Sequence, residues 1–174
     1  RTIKFLNGFR IKDIVVVVGY KSREIIDELK RHRLKVKVVL NENFTEGSIL
    51  SLWKVYPELK NEILIIDGDL YFQKELIERI AKSKKRNFFL IDAKVKQDNE
   101  AVRVGFKNNR AVALARGLKG GYCVLGEWAG FLKLSSSGSK KLRQVLKSEV
   151  SSGERKIGYE FIVPQLFKDI AISY

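Results

Sequence analysis

Apolar residues come along this chain in two rhythms, short unbroken runs and helical stripes, and the two alternate. Asp13-Ile14-Val15-Val16-Val17-Val18-Gly19-Tyr20 and Glu62-Ile63-Leu64-Ile65-Ile66-Asp67 each carry an uninterrupted aliphatic run between polar ends. Such a run predicts a strand buried on both faces, as in a parallel sheet with helices on either side. Leu34 to Leu40 instead alternates Val36, Val38 and Leu40 with Lys35 and Lys37, which predicts a strand with one covered face. Between these runs lie stripes at helical spacing. Ile25, Ile26 and Leu29 follow a Ser22 cap; Ile49, Leu52, Trp53 and Tyr56 follow a start near Thr45 to Ser48; Phe72, Leu76, Ile77 and Ile80 form the next. Ahead of them all, Ile3 and Leu6 face inward on a helix stopped by Asn7-Gly8.

The second half changes character. Asn87 to Val95 is strand-like. Val102, Val104 and Phe106 then alternate, Asn108-Asn109 turns, and Val112 and Leu114 alternate back. Paired asparagines tolerate positive φ, so this predicts a hairpin with one face on the core. Gly120-Gly121 leads into a strand through Trp128 to Leu132. Ser135 to Ser139 caps a helix whose Leu142, Val145 and Leu146 point inward, and Tyr159 to Ile170 is a last helix with Ile162, Val163, Leu166 and Phe167 inside. Pro164 restricts where that helix begins. The fold expectation is α/β: a doubly wound, mostly parallel mixed sheet flanked by helices, with a β-hairpin insertion. Residue 1 falls inside a helix and Ala171 to Tyr174 starts a strand, so residues 1–174 read as one domain truncated at both ends.

Composition narrows the classes. The 174 residues are 45% hydrophobic and 31% charged, enough for a real core. No apolar run approaches the roughly 18 residues of a membrane span, and no signal-peptide pattern opens the chain. Cys123 and His32 are the single cysteine and histidine, which excludes an internal disulfide, a Cys/His zinc cluster and a triad needing a second histidine. A lone Cys123 suggests a small core residue in a reducing, cytoplasmic setting. The net charge of +14 raises nucleic acid as a partner. Against it, Arg31-His32-Arg33 and Lys82 to Arg86 sit at predicted helix ends, where they complement the dipole. A lysine-rich surface for anionic substrates is the expectation, with no nucleic acid.

One stretch carries chemistry. In Ile63-Leu64-Ile65-Ile66-Asp67-Gly68-Asp69 a core strand runs straight into two carboxylates. Sheets of this class bind ligands beyond the carboxyl ends of their strands. Gly68 keeps side-chain bulk out of the space between Asp67 and Asp69, whose oxygens suit Mg²⁺ holding substrate phosphates.

The order of features resembles one family. Gly19-Tyr20-Lys21 after a strand, Asn41-x-x-x-x-x-Gly47-Ser48-x-x-Ser51-Leu52-Trp53, the strand ending Asp67-Gly68-Asp69, Gly126-Glu127-Trp128-x-Gly130 and Gly158-Tyr159-Glu160 are similar to the sugar-phosphate nucleotidyltransferase superfamily. Within it the branch of phosphocholine and inositol-1-phosphate cytidylyltransferases matches across nearly the whole chain. The resemblance implies that Asp69 holds Mg²⁺ against the triphosphate, with Asp67 beside it. It places Gly47 and Ser48 against the nucleobase, where a side-chain-poor helix start admits close approach. It sets Glu127 and Glu160 near the acceptor, with Trp128 and Tyr159 as walls of a choline or inositol pocket. Lys21 and Lys94 are among several lysines able to offset phosphate charge.

The implied reaction couples CTP to a phosphorylated small alcohol with release of pyrophosphate. The family's Gly-rich loop is expected before Arg1 and a Glu-x-Asp motif beyond Tyr174. Three alternatives stay open: a sugar-1-phosphate nucleotidyltransferase, a metal-dependent glycosyltransferase of related fold, and a non-catalytic nucleotide-sensing module.

Overall fold

The larger sheet is built around one long strand. The computed structural model describes residues 1–9, 11–94 and 101–174. In it β7 (Val124–Leu134) runs 11 residues and pairs antiparallel with three others. β3 (Ile63–Ile66) lies against Phe131 to Leu134. β5 (Val102–Lys107) lies against Val124 to Glu127. β4 (Phe88–Asp92) spans both halves, and its register jumps so that Leu90 faces Phe131 while Ile91 faces Trp128. The jump leaves Ala129 and Gly130 unmatched. β6 (Arg110–Arg116) completes this sheet as the partner of β5. A second, two-stranded parallel sheet joins β1 (Val15–Val18) to β2 (Lys37–Leu40).

Helices cover both faces, as the alternating pattern requires. On one side α1 (Thr2–Gly8) and α4 (Lys74–Lys82) bury Leu6, Ile77 and Ile80 with Phe88 and Phe131. On the other, α3 (Ser48–Lys54), α5 (Ser136–Ser151) and a 3₁₀ helix (Tyr159–Leu166) bury Ile49, Leu142, Leu146, Ile162 and Leu166 with Phe89 and Leu132. Successive residues of a strand point to opposite faces. Phe88/Phe89 and Phe131/Leu132 therefore divide between the two cores, and these positions cannot alternate with polar residues. α2 (Ser22–Arg31) follows β1 and closes the first crossover.

The α/β class, the Rossmann-like layering and the hairpin stand, while several expectations need correction. Among the described residues parallel pairing is confined to β1–β2 and to bridges between Gly19 and Lys21 and between Phe88 and Ser173; the other ladders are antiparallel. An apolar run reports burial and is blind to direction, so "mostly parallel" went beyond what the run contained. The Val15 to Val17 and Ile63 to Ile66 runs are half-buried rather than fully covered. In β2 it is Val39 that packs on the core, while Val38 and Leu40 are 36% and 47% exposed, because the alternation slips after Val36. Ser22 makes no cap bond: Lys21 takes the cap position in the left-handed region, at φ 51°. Ile25 on the same helix is exposed.

Asn108 and Asn109 turn the hairpin with φ of 49° and 58°. A bulge opposes Gly105 to Ala113 and Phe106 to Ala111, which throws Val112 outward. β5 is buried on both faces, with Val104 and Phe106 in the core and the Tyr122 ring over Gly105. The last helix is 3₁₀ rather than α and has Pro164 inside it, which lacks the N–H an α-helix would use. Cys123 is exposed, not core. The expected end of β4 at Val95 lies outside the described residues. No described helix is long and apolar enough to cross a membrane.

Candidate active site

β3 delivers its last residue into a turn held from below by β7. The Asp67 N–H donates to the Gly130 carbonyl at 3.0 Å, which extends the β3–β7 ladder one residue past the strand. Gly130 adopts φ +74°, and a Cβ there would lie 2.7 Å from Leu70 Cδ1 and 2.8 Å from Asp67 Oδ2. Only a bare backbone in the left-handed region allows the turn to sit this close. Asp67 is half-buried, whereas Gly68 and Asp69 are exposed, and nothing would approach within 4 Å of a Cβ on Gly68.

Tyr159 reaches this turn from the start of the 3₁₀ helix. Its hydroxyl donates to Asp67 Oδ1 at 2.7 Å, and its backbone N–H donates to Ser48 Oγ at 2.9 Å. The ring meets Trp128 edge-on, with centroids 5.6 Å apart and planes at 81°. Trp128 in turn packs edge-on against Phe89 and donates Nε1–H to the Phe131 carbonyl at 3.0 Å. Burial pushes the Asp67 carboxyl above its ordinary range; the Tyr159 hydrogen bond opposes that rise and the charge on Asp69 adds to it. Burial, followed by the Asp67 charge and hydrogen bond, drives the Tyr159 phenol far upward, so it stays a protonated donor.

α3 begins where that chain of contacts starts. Gly47 is its cap, extended at φ −169°. A Cβ on Gly47 would lie 2.5 Å from the Ile157 carbonyl and 2.6 Å from that of Arg155. Ile49 N–H donates to the same Ile157 carbonyl at 3.2 Å. Ser48 is exposed at the helix start and caps nothing; its hydroxyl accepts across the chain from Tyr159. Sequence reasoning quoted Asn41 as part of a motif but gave it no role; it is 1% exposed. It donates to Ser51 Oγ at 3.0 Å and accepts from Asn43 N–H at 3.1 Å, fixing the loop that leads to Gly47. It also passed over the role of Gly130, though a glycine inside a strand pattern is a known sign of close backbone approach.

The structure thus links Gly47, Ser48, Tyr159, Trp128 and Asp67, with Gly68 and Asp69 on the solvent side of the same turn. Trp128 and Tyr159 pack among core residues. Glu127 lies opposite Arg103 on β5 and Asp92 on β4. Strand alternation turns it away from Trp128, and no described contact joins it to the turn. The Glu160 carboxylate folds back over Gly158. Lys21 pairs with Glu24 at 3.5 Å, and Lys94 donates its N–H to Asp92 Oδ1 at 2.8 Å. A 390 Å³ groove lined by residues including Trp53, Tyr56 and Arg155, and a 700 Å³ groove between α1 and α2, both lie away from Asp67 and Asp69. Side-chain chemistry, not concavity, marks the site.

No group of three or more His, Cys, Asp or Glu side chains among the described residues is arranged to hold a metal. The two carboxylates of one turn are a partial set of hard oxygen donors. That fits Mg²⁺, which keeps waters and substrate phosphate oxygens as its remaining ligands.

The family described as "Domain of unknown function (DUF6564)" matches residues 3–113, from α1 into β6 and including the Asp67-Gly68-Asp69 turn. The chain belongs to that family. This DUF6564 chain is also 23% identical over 158 residues to the "Bifunctional IPC transferase and DIPP synthase" of Aquifex aeolicus (strain VF5), covering 87% of the chain and 36% of the relative. It therefore spans about a third of that relative's length. Solved structures share its fold. The CTP:phosphocholine cytidylyltransferase of Streptococcus pneumoniae superposes with a TM-score of 0.76 at 22% identity, over 99% of this chain and 72% of that one. The inositol-1-phosphate CTP transferase of T. maritima gives 0.72 at 15% identity, over 98% and 70%. A putative glucose-1-phosphate thymidylyltransferase of Bacillus anthracis gives 0.71 at 14% identity, over 99% and 70%. This DUF6564 chain thus has the nucleotidyltransferase fold, with its two aspartates at the carboxyl end of a sheet strand.

Proposed function

We propose that this chain is a cytoplasmic nucleotidyltransferase domain that joins CTP to a small phosphorylated alcohol, inositol 1-phosphate or phosphocholine, and releases pyrophosphate. The observation that carries the reading is the Asp67-Gly68-Asp69 turn at the end of β3, tied through Tyr159 to the bare helix start at Gly47 and Ser48. The fold shared with two cytidylyltransferases supports the same choice of nucleotide and acceptor.

In this reaction a phosphate oxygen of the acceptor attacks the α-phosphorus of the nucleotide. The bond from that phosphorus to the bridging oxygen breaks, and pyrophosphate leaves with the electron pair. Little covalent work falls to the protein, so no nucleophile or general base is required; alignment and charge compensation carry the rate. Asp69, exposed and unencumbered, would hold Mg²⁺, with Asp67 beside it. The ion would supply charge neutralisation to the phosphates. In this reading Gly47 and Ser48 serve the nucleobase and Trp128 and Tyr159 back the acceptor pocket, while Glu127 and Glu160 are given no contact with it. The surplus of lysine and arginine suits two polyanionic substrates.

A sugar-1-phosphate acceptor is the second reading, favoured by the likeness to the thymidylyltransferase fold. Pyrophosphate release from a panel of triphosphates and phosphomonoesters separates the two. The assay uses a chain that includes whatever precedes Arg1 and follows Tyr174. The expected result is turnover with CTP and inositol 1-phosphate or phosphocholine, abolished in Asp69→Asn. Preference for glucose 1-phosphate with UTP or dTTP would move the assignment to the second reading. Full activity of Asp69→Asn would remove the turn from the mechanism.

A further inference from the structure

Of the two carboxylates in the turn, one is already committed. Asp67 is bonded through its N–H to Gly130 and accepts the Tyr159 hydroxyl on Oδ1. Its Oδ2 lies against the bare Cα of Gly130. Asp69 is exposed and has no hydrogen bond or ion pair among the described residues. Tyr159 is itself held at three points: its N–H on Ser48, its ring on Trp128 and its hydroxyl on Asp67. A metal on Asp67 Oδ1 would compete with that hydroxyl for the same oxygen, and losing the bond would leave a buried donor without a partner, which costs more than the bond itself contributes.

Resting on the nucleotidyltransferase reading, we propose that Asp67 and Tyr159 form a positioning pair. Together they set the turn so that Asp69 alone presents its carboxylate to the metal–triphosphate, and they join that turn to the nucleobase side at Ser48. The resemblance already singles out Asp69 as the ligand; the geometry adds that Asp67 is held by Tyr159. Side chains that hold a metal-binding group in place typically contribute about 10–100-fold to metal affinity without touching the ion. A turn fixed before binding also avoids the cost of ordering it at the moment the substrate arrives.

The test measures Mn²⁺ binding by electron paramagnetic resonance to the intact protein with CTP present and no acceptor. Thermal unfolding of each variant runs alongside. Asp69→Asn should weaken Mn²⁺ binding at least roughly 100-fold. Tyr159→Phe and Asp67→Ala should each weaken it about tenfold, and combining them should add nothing further. Asp67→Asn, whose amide oxygen still accepts the Tyr159 hydroxyl, should restore binding to within about threefold of the parent. An Asp67→Asn loss as deep as that of Asp69→Asn would make Asp67 a ligand and overturn the proposal. If Tyr159→Phe fails to fold, the contrast between Asp67→Ala and Asp67→Asn decides alone. Unaltered Mn²⁺ binding in Asp69→Asn would instead sink the nucleotidyltransferase reading on which the pair rests.

Discussion

Two glycines near the site show how one Cβ changes the outcome at the scale of a residue. At Gly130 the backbone is left-handed, and an added methyl would press on Leu70 and on the Asp67 carboxylate. Gly130→Ala should therefore cost about 1–3 kcal/mol of stability, read as a lower denaturant midpoint with an unchanged slope. At Gly68, the residue next to the same aspartate, a Cβ would meet open space and the φ lies outside the left-handed region. Gly68→Ala should stay within about 0.5 kcal/mol of the parent. Equal losses at the two positions would mean that contact with Asp67 does not set the turn. Gly47 belongs with Gly130, though for another reason: its backbone is extended, but carbonyls of residues 155 and 157 occupy the space a side chain needs.

The helices divide into those that the local sequence caps and those that tertiary contacts start. α5 is of the first kind. Ser135 Oγ accepts the Gly138 N–H at 3.3 Å, and its own N–H donates to Asn87 Oδ1 at 2.8 Å. α2 and α3 are of the second kind, with no side-chain cap bond at either start. Ser135→Ala should cost about 0.5–2 kcal/mol, whereas Ser22→Ala should be close to neutral; thermal melts of the two variants check the contrast. The hairpin likewise was plain in the sequence, because Asn108 and Asn109 supply the positive φ that its turn demands. The bulge that ejects Val112 was not: it arises from a register shift between two strands, and one strand's pattern cannot report it.

At the scale of the whole molecule, cover is uneven. β7 is paired through β4, β3 and β5 and lies between two helical layers. The β1–β2 sheet has two strands, and three of the four β2 residues are exposed. Two strands alone are marginal in water, and local opening follows contact density. In native-state hydrogen exchange on residues 1–174, amides of Val38 to Leu40 should exchange at least roughly tenfold faster than those of Phe131 to Leu134. Uniform protection across both sheets would show that they open as one unit. Exposed ion pairs such as Lys141–Asp169 and Lys82–Glu78 add little to that ledger, since solvent screens them.

By itself, the sequence determined the alternation of strands and helices, the helices on both faces, the hairpin turn, the α5 cap and the two aspartates after Ile66. Each of these rests on local chemistry: side-chain period, a positive-φ residue, a hydroxyl at a helix start, a charged pair ending an apolar run. Only the tertiary structure decided the direction of pairing, the face that β2 buries, the exposure of Cys123 and the hydrogen bond that holds Asp67. Those depend on partners far away in the chain. Tyr159 lies 92 positions beyond Asp67 and 111 beyond Ser48, and no window along the sequence contains all three. The carboxylates could be found from the run that precedes them; the hydroxyl that Tyr159 donates to Asp67 could not.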